Sequence, residues 1–207
     1  MSGKLVYNSS LDFTRLLASS DPVPGGGGAA AFMGALGVSL CSMSANLTKS
    51  KKKYAEFEGL IAETVEKCEE LRISFLKLID EDAEAFLPLS KAYSIEKSDP
   101  DRAKIIERES LNACAAPMKM LRLCKEAAEL LEAMYTVGNQ LLLSDVGCGA
   151  AACEAAMKSA AMNVLVNTKS LHNEQSESMN IEISSTLKEY LPRLNTLINS
   201  VMEKLVV

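Results

Sequence analysis

Apolar positions along the chain recur in steps of three and four rather than two, the signature of helices. The clearest run lies between Tyr54 and Tyr93. There Phe57, Leu60, Ile61, Thr64, Val65, Cys68, Leu71, Phe75, Leu78, Phe86 and Leu89 fall on one stripe. Pro88 is expected to kink or end that helix. Upstream, Leu11, Phe13, Leu16 and Leu17 predict a short amphipathic helix over Leu11–Ala18. The Pro- and Gly-rich stretch Ser19–Gly28 reads as a loop. Ala29 to about Leu47 carries no charge and many small residues, which predicts a helix buried on every side. The same composition admits a membrane span, but Gly, Ser and Asn46 make transfer into lipid unfavourable beside burial in a protein core.

Ser98-Asp99-Pro100 reads as a helix start, and that helix is expected to run towards Tyr135 with a kink at Pro117. Gly138–Asp145 predicts a second loop, with Ser144 or Asp145 capping a fifth helix that reaches about Leu171. A last helix is expected from about Asn173 to Val207, disturbed at Pro192. No segment alternates as a strand does. The prediction is one all-α domain over residues 1–207, a bundle of long and partly kinked helices.

Composition supports this. Apolar residues make up 48% of the chain, aromatics only 5%, and Trp is absent. Such a core suits close-packed helices better than sheets, which favour β-branched and aromatic residues. A net charge of −5 argues against a nucleic-acid partner, because phosphate neutralisation needs a basic surface. Six cysteines without a C-x-x-C pair, and a single distant His172, make a metal site unexpected. Unpaired cysteines among apolar residues point to a reducing compartment, and the N-terminus lacks a signal-like apolar run. A cytoplasmic protein away from membranes is expected.

Four features carry possible chemistry. Asp82 sits on the apolar stripe, four residues after Leu78 and four before Phe86, while Asp80, Glu81 and Glu84 lie largely off it. A carboxylate on an inward face loses hydration, its pKa rises, and it becomes suited to proton transfer near neutral pH. The competing reading is a cap for a neighbouring helix or a partner for a buried Lys. Gly25, Gly26, Gly27 and Gly28, preceded by Pro24, lead straight into a helix N-terminus, where free N–H groups favour anions. They lack the Gly-Lys-Ser/Thr of a P-loop and serve equally as a turn for tight packing. Asn163 and Asn167, one turn apart, need partners in an apolar helix and either cross-link helices or bind a ligand. Lys51, Lys52 and Lys53 read as a solvated charge run or as attraction for a polycarboxylate. No nucleophile–base pair is apparent.

Taken together, Pro22–Ala31, Leu47–Tyr54, Leu78–Phe86, Gly138-Asn139 with Ser144-Asp145, and Asn163–Asn167 resemble the formiminotetrahydrofolate cyclodeaminase family, which includes methenyltetrahydrofolate cyclohydrolases. The resemblance covers about Leu11 to Leu171. It implies an all-helical homodimer with a tetrahydrofolate derivative, polyglutamylated or not, bound near the dimer contact. It also implies that Asp82 is the catalytic base. Pro24, Gly25–Gly28, Asn139, Ser144, Asp145, Asn163 and Asn167 would line or support the folate site, and Lys51 and Lys53 would meet the glutamate tail. The leading expectation is conversion of 5-formiminotetrahydrofolate to 5,10-methenyltetrahydrofolate and ammonia. Hydrolysis of the methenyl compound to 10-formyltetrahydrofolate is the alternative, and a non-catalytic folate-binding dimer the second alternative. Both reactions are proton transfers around one carbon, so no cofactor beyond the folate substrate is expected. The family usually has Ser where this chain has Gly28, and the Gln-Leu-Leu-Leu after Asn139 is unusually apolar, departures that bear on substrate preference.

Overall fold

A computed structural model describes residues 4–206. Seven α-helices follow one another among these residues: α1 (Ser10–Leu17), α2 (Gly26–Thr48), α3 (Glu58–Tyr93), α4 (Arg102–Ala113), α5 (Ala115–Val137), α6 (Leu143–Thr168) and α7 (Glu174–Val206). Short 3-10 turns lie at Leu5–Tyr7, Lys52–Phe57 and Gln140–Leu142. No strand occurs among the described residues.

Helix α2 is the axis of the bundle and packs against α3, α5 and α6. It is long and apolar enough to cross a bilayer by length and composition, yet half-buried against its neighbours. Its small residues explain its position. A methyl group at Gly37 would lie 2.6 Å from Cys153 Sγ and 2.9 Å from the Gly149 carbonyl. Gly149 returns the contact, 3.0 Å from the Gly37 carbonyl. Two glycines therefore let the antiparallel backbones of α2 and α6 touch, which is tighter than ordinary ridge-and-groove packing. Around this seam lie Val38, Cys41, Phe75, Leu131, Cys153 and Met157, all fully buried.

The helix ends differ from the sequence expectation in instructive ways. Helix α2 begins at Gly26, three residues before the predicted start, so most of the glycine run is helical. It ends at Thr48, and after the cap residue Lys49, Ser50 takes a left-handed φ of 62° that turns the chain out of the helix. Pro88 neither ends nor breaks α3. The helix predicted around Pro117 is two: α4 stops at Cys114, and Pro117, lacking an N–H, sits in the first turn of α5, where none is needed. Helix α4 starts at Arg102 and not at Pro100; the Asp99 carboxylate accepts instead from the Asp101 N–H at 2.8 Å. Neither Ser144 nor Asp145 is a cap, because both lie inside the first turn of α6. Pro192 sits within a continuous α7, whose start is capped by Asn173 accepting from the Ser176 N–H at 2.9 Å.

Candidate functional site

The residues singled out by sequence gather at opposite ends of α2. At its N-terminal end a cleft of about 130 Å³ is lined by Gly25, Gly26 and Gly27, by Asp82 and Phe86 of α3, and by Asn163 and Asn167 of α6. Pro22, Val23, Ala113, Pro117 and Val166 complete its wall.

Asp82 reaches this cleft because α3 carries it one turn before Phe86 and one turn after the buried Leu78. Burial pushes its carboxyl up to about 6, against the opposing effect of a hydrogen bond from the Gly28 N–H. The N-cap of α2, Gly25, has no side chain to satisfy the first N–H groups of the helix. Asp82 supplies that missing acceptor from α3. The two readings of Asp82 as cap and as acid–base group thus describe one arrangement. Gly27 is what permits it: a methyl group there would overlap the Asp82 carboxylate.

Asn163 donates from Nδ2 to the Ser159 carbonyl of its own helix at 2.8 Å. Among the described residues neither it nor Asn167 cross-links another helix, contrary to one of the two sequence readings, and both face the cleft. Pro24 and Gly28 do not line it. Gly28 is buried, and a methyl group on it would meet the Pro24 ring at 3.3 Å. A side chain at that position would press first on Pro24, with Ile79 and Phe13 next. Asp80 does not simply face water, since it accepts from the Leu5 N–H at 2.6 Å.

Asn139, Ser144, Asp145 and the lysines lie at the other end of α2. The Asn139 N–H donates to Thr48 Oγ1 at 3.0 Å, at the last residue of α2. Its Oδ1 accepts from Tyr54 at 3.3 Å and from the Leu141 N–H at 3.2 Å. Asn139 is therefore held by a buried polar network whose Tyr54 the sequence reading did not assign. Lys51, Lys52 and Lys53 are exposed beside it, with Lys53 over the Tyr54 ring. A helix of 23 residues separates the two groups, about 34 Å at 1.5 Å per residue. The structure thus does not bring Asn139, Ser144, Asp145, Lys51 or Lys53 to the Asp82 cleft within one copy of the chain.

Lining residues missed by sequence are Pro22, Val23, Phe86, Ala113, Pro117 and Val166. Phe86 had a usable signal, its one-turn spacing from Asp82; Ala113 and Val166 had none. No cluster of His, Cys, Asp or Glu suited to a metal occurs among the described residues.

The formiminotransferase-cyclodeaminase family model matches residues 9–186. A methenyltetrahydrofolate cyclohydrolase of Methylorubrum extorquens is 42% identical, over 75% of this chain and 76% of that protein. The formimidoyltransferase-cyclodeaminase of Mus musculus is 28% identical over 89% of this chain, which spans only 35% of that longer protein. The fold is similar to a crystal structure of formiminotetrahydrofolate cyclodeaminase from Thermotoga maritima, with a TM-score of 0.84, 29% identity, and coverage of 97% of this chain and 98% of that one.

Proposed function

Because the chain belongs to the formiminotransferase-cyclodeaminase family, we propose that the Asp82 cleft acts on the carbon that bridges N5 and N10 of tetrahydrofolate. The observation that carries this reading is Asp82 itself, a partly buried carboxylate raised to about 6 in a cleft shared with the Asn163 and Asn167 amides. Such a group accepts a proton at neutral pH and returns it within one turnover.

Two reactions use that capacity. In hydrolysis, water adds to the methenyl carbon while Asp82 takes one of its protons. The ring then opens as N5 departs with that proton, the added hydroxyl gives its own proton to solvent as the formyl C=O forms, and 10-formyltetrahydrofolate is released. In the cyclisation expected from sequence, N10 of 5-formiminotetrahydrofolate adds to the formimino carbon and gives its proton to Asp82. Ammonia then leaves, protonated by the same group, and the methenyl ring remains. Both balance as proton transfers, so the proposed enzyme needs no cofactor beyond the folate. The 42% identity to a cyclohydrolase supports the hydrolysis, and we rank it first. The Thermotoga neighbour supports the cyclisation as the second reading. Free cysteines, five buried and Cys148 exposed, support a reducing cytoplasmic setting.

The cleft is too small for a whole folate: about 130 Å³ against roughly 300–1,000 Å³ for ordinary small-molecule sites. The remaining candidate residues lie one helix length away. A second copy resolves both points. Leu36, Met43 and Leu47 of α2 and Met162 and Val166 of α6 are exposed apolar residues on the outer side of the seam. Single exposed apolar residues are ordinary, but a face of them is not. A two-fold axis perpendicular to these helices would seat the face on its own copy and run α2 antiparallel to the partner's α2. Each Asp82 cleft would then meet a partner's Lys51, Lys53, Asn139 and Ser144. This homodimer is part of the proposal.

Two experiments test it. Purified protein is mixed with 5,10-methenyltetrahydrofolate, whose absorbance loss reports hydrolysis; 5-formiminotetrahydrofolate is tested in parallel for methenyl absorbance and ammonia. Asp82→Asn is expected to lower whichever rate is seen by at least about a hundredfold. Silence with both substrates, or an active Asp82→Asn variant, would sink the assignment. Leu36→Lys with Met43→Lys should give a helical monomer by light scattering and circular dichroism, with turnover lost. A fully active monomer would refute the shared site.

A further inference from the structure

Among the described residues the walls of the cleft carry one ionisable side chain, Asp82, and no Lys, Arg or His. The N-terminus of α2 contributes roughly half a positive elementary charge. Asp82 more than offsets it, since its carboxylate accepts from the Gly28 N–H. Within one copy the wall around Asp82 therefore has a negative balance, while in the proposed dimer the partner's Lys51 and Lys53 are left for the glutamate tail. One turn along α3 from Asp82, Phe86 is the sole aromatic ring in the lining. An aromatic face carries negative quadrupole charge and attracts a cation placed over it.

The one-carbon forms of folate differ in charge at the point that matters. The 5,10-methenyl ring shares one positive charge across N5, the bridging carbon and N10, and a protonated 5-formimino group is likewise an amidinium. The 5-formyl and 10-formyl forms are neutral amides. We infer that Asp82 and Phe86 together form a cation-selecting wall, so that the cleft takes amidinium folates and discriminates against neutral formyl folates sharing the same pterin and tail. This inference rests on the folate reading above. Hydrolysis discharges the cation, so its 10-formyl product loses both contacts and leaves. Phe86 is a specificity-determining residue that neither the sequence motif reading nor acid–base chemistry assigns.

The test compares a cationic and a neutral ligand in one assay. Turnover of 5,10-methenyltetrahydrofolate gives kcat and KM, while 5-formyltetrahydrofolate added as a competitive inhibitor gives Ki. Phe86→Leu keeps an apolar side chain and removes the ring. It is expected to raise KM for the cation roughly three- to thirtyfold, the range for a desolvated ring–cation contact. The Ki of the neutral ligand should move by less than about twofold. Phe86→Tyr, which keeps a ring, should restore the KM. If Phe86→Leu weakens both ligands equally, Phe86 merely stacks on the pterin and the cation wall is overturned, while the folate reading stands. If wild-type protein neither turns over the methenyl compound nor binds 5-formyltetrahydrofolate, both readings fall. Retained 5-formyl binding by Phe86→Leu also reports that the variant is folded.

Discussion

Asp82 serves two roles that make opposite demands on its charge. As a cap it is best ionised, accepting from the Gly28 N–H; as a group partly cut off from water it is best neutral, and burial is the larger influence. The folded pKa of about 6 lies above the ordinary 3.8, so the folded state binds this proton more tightly than the unfolded chain does. Stability linked to Asp82 is therefore present below about pH 3.8 and is lost as pH rises through about 6. Two consequences share that window. Turnover that needs the carboxylate as base should rise through about pH 6 and level off above it, as a kcat/KM profile would show. Asp82→Asn, whose amide oxygen still accepts from Gly28, should be more stable than wild type at pH 7, by roughly 1–3 kcal/mol. Thermal melts at pH 7 and pH 4 measure this: the advantage should shrink at the lower pH, and an equal or destabilised variant at pH 7 would contradict it. Asp82 was legible in the sequence as an intruder on an apolar stripe. Its partner Gly28 was not, because a backbone N–H leaves no mark in the residue pattern.

The helices were legible as elements because their stripes are long and regular; at Pro117 the expected kink is instead a break between two helices, with the proline in the first turn of α5, while Pro88 and Pro192 sit inside continuous helices. The ends were misread where tertiary contacts replace local signals. Four glycines and two prolines read as a loop, yet the helix starts at Gly26, since α3 supplies its cap and the lack of side chains admits the Asp82 carboxylate. Ser144 and Asp145 read as caps because their type suits the role, but the chain enters α6 two residues earlier. The α2–α6 seam makes the most specific demand at this scale. Gly37→Val would drive its branched side chain into Cys153 and the Gly149 backbone, which cannot rotate away. Denaturant unfolding should show a loss of about 1–3 kcal/mol. A variant as stable as wild type would mean that the seam relaxes freely. Valine's own helix propensity would recover only a few tenths of a kcal/mol relative to glycine.

At the scale of the whole molecule, all-α architecture followed from periodicity and composition, but the arrangement of the candidate site did not. Sequence order placed five motifs along one chain without stating which ends meet. The two ends of α2 are the ends of a rigid rod, and no bending of one copy joins Asp82 to Asn139. For the proposed dimer this has a consequence that reads like genetics. Consider Asp82→Asn, lacking the base, and Asn139→Asp, which keeps the acceptor for Tyr54 and Leu141 but loses the amide donor. Each homodimer would have two defective sites. Unfolded together and refolded, the two inactive proteins would pair at random, and half of the dimers would be mixed. Every mixed dimer would carry one site with both lesions and one with none, so about a quarter of wild-type activity should reappear from two dead parents. The rod that keeps the motifs apart within a copy is thus what would let two broken copies complement each other.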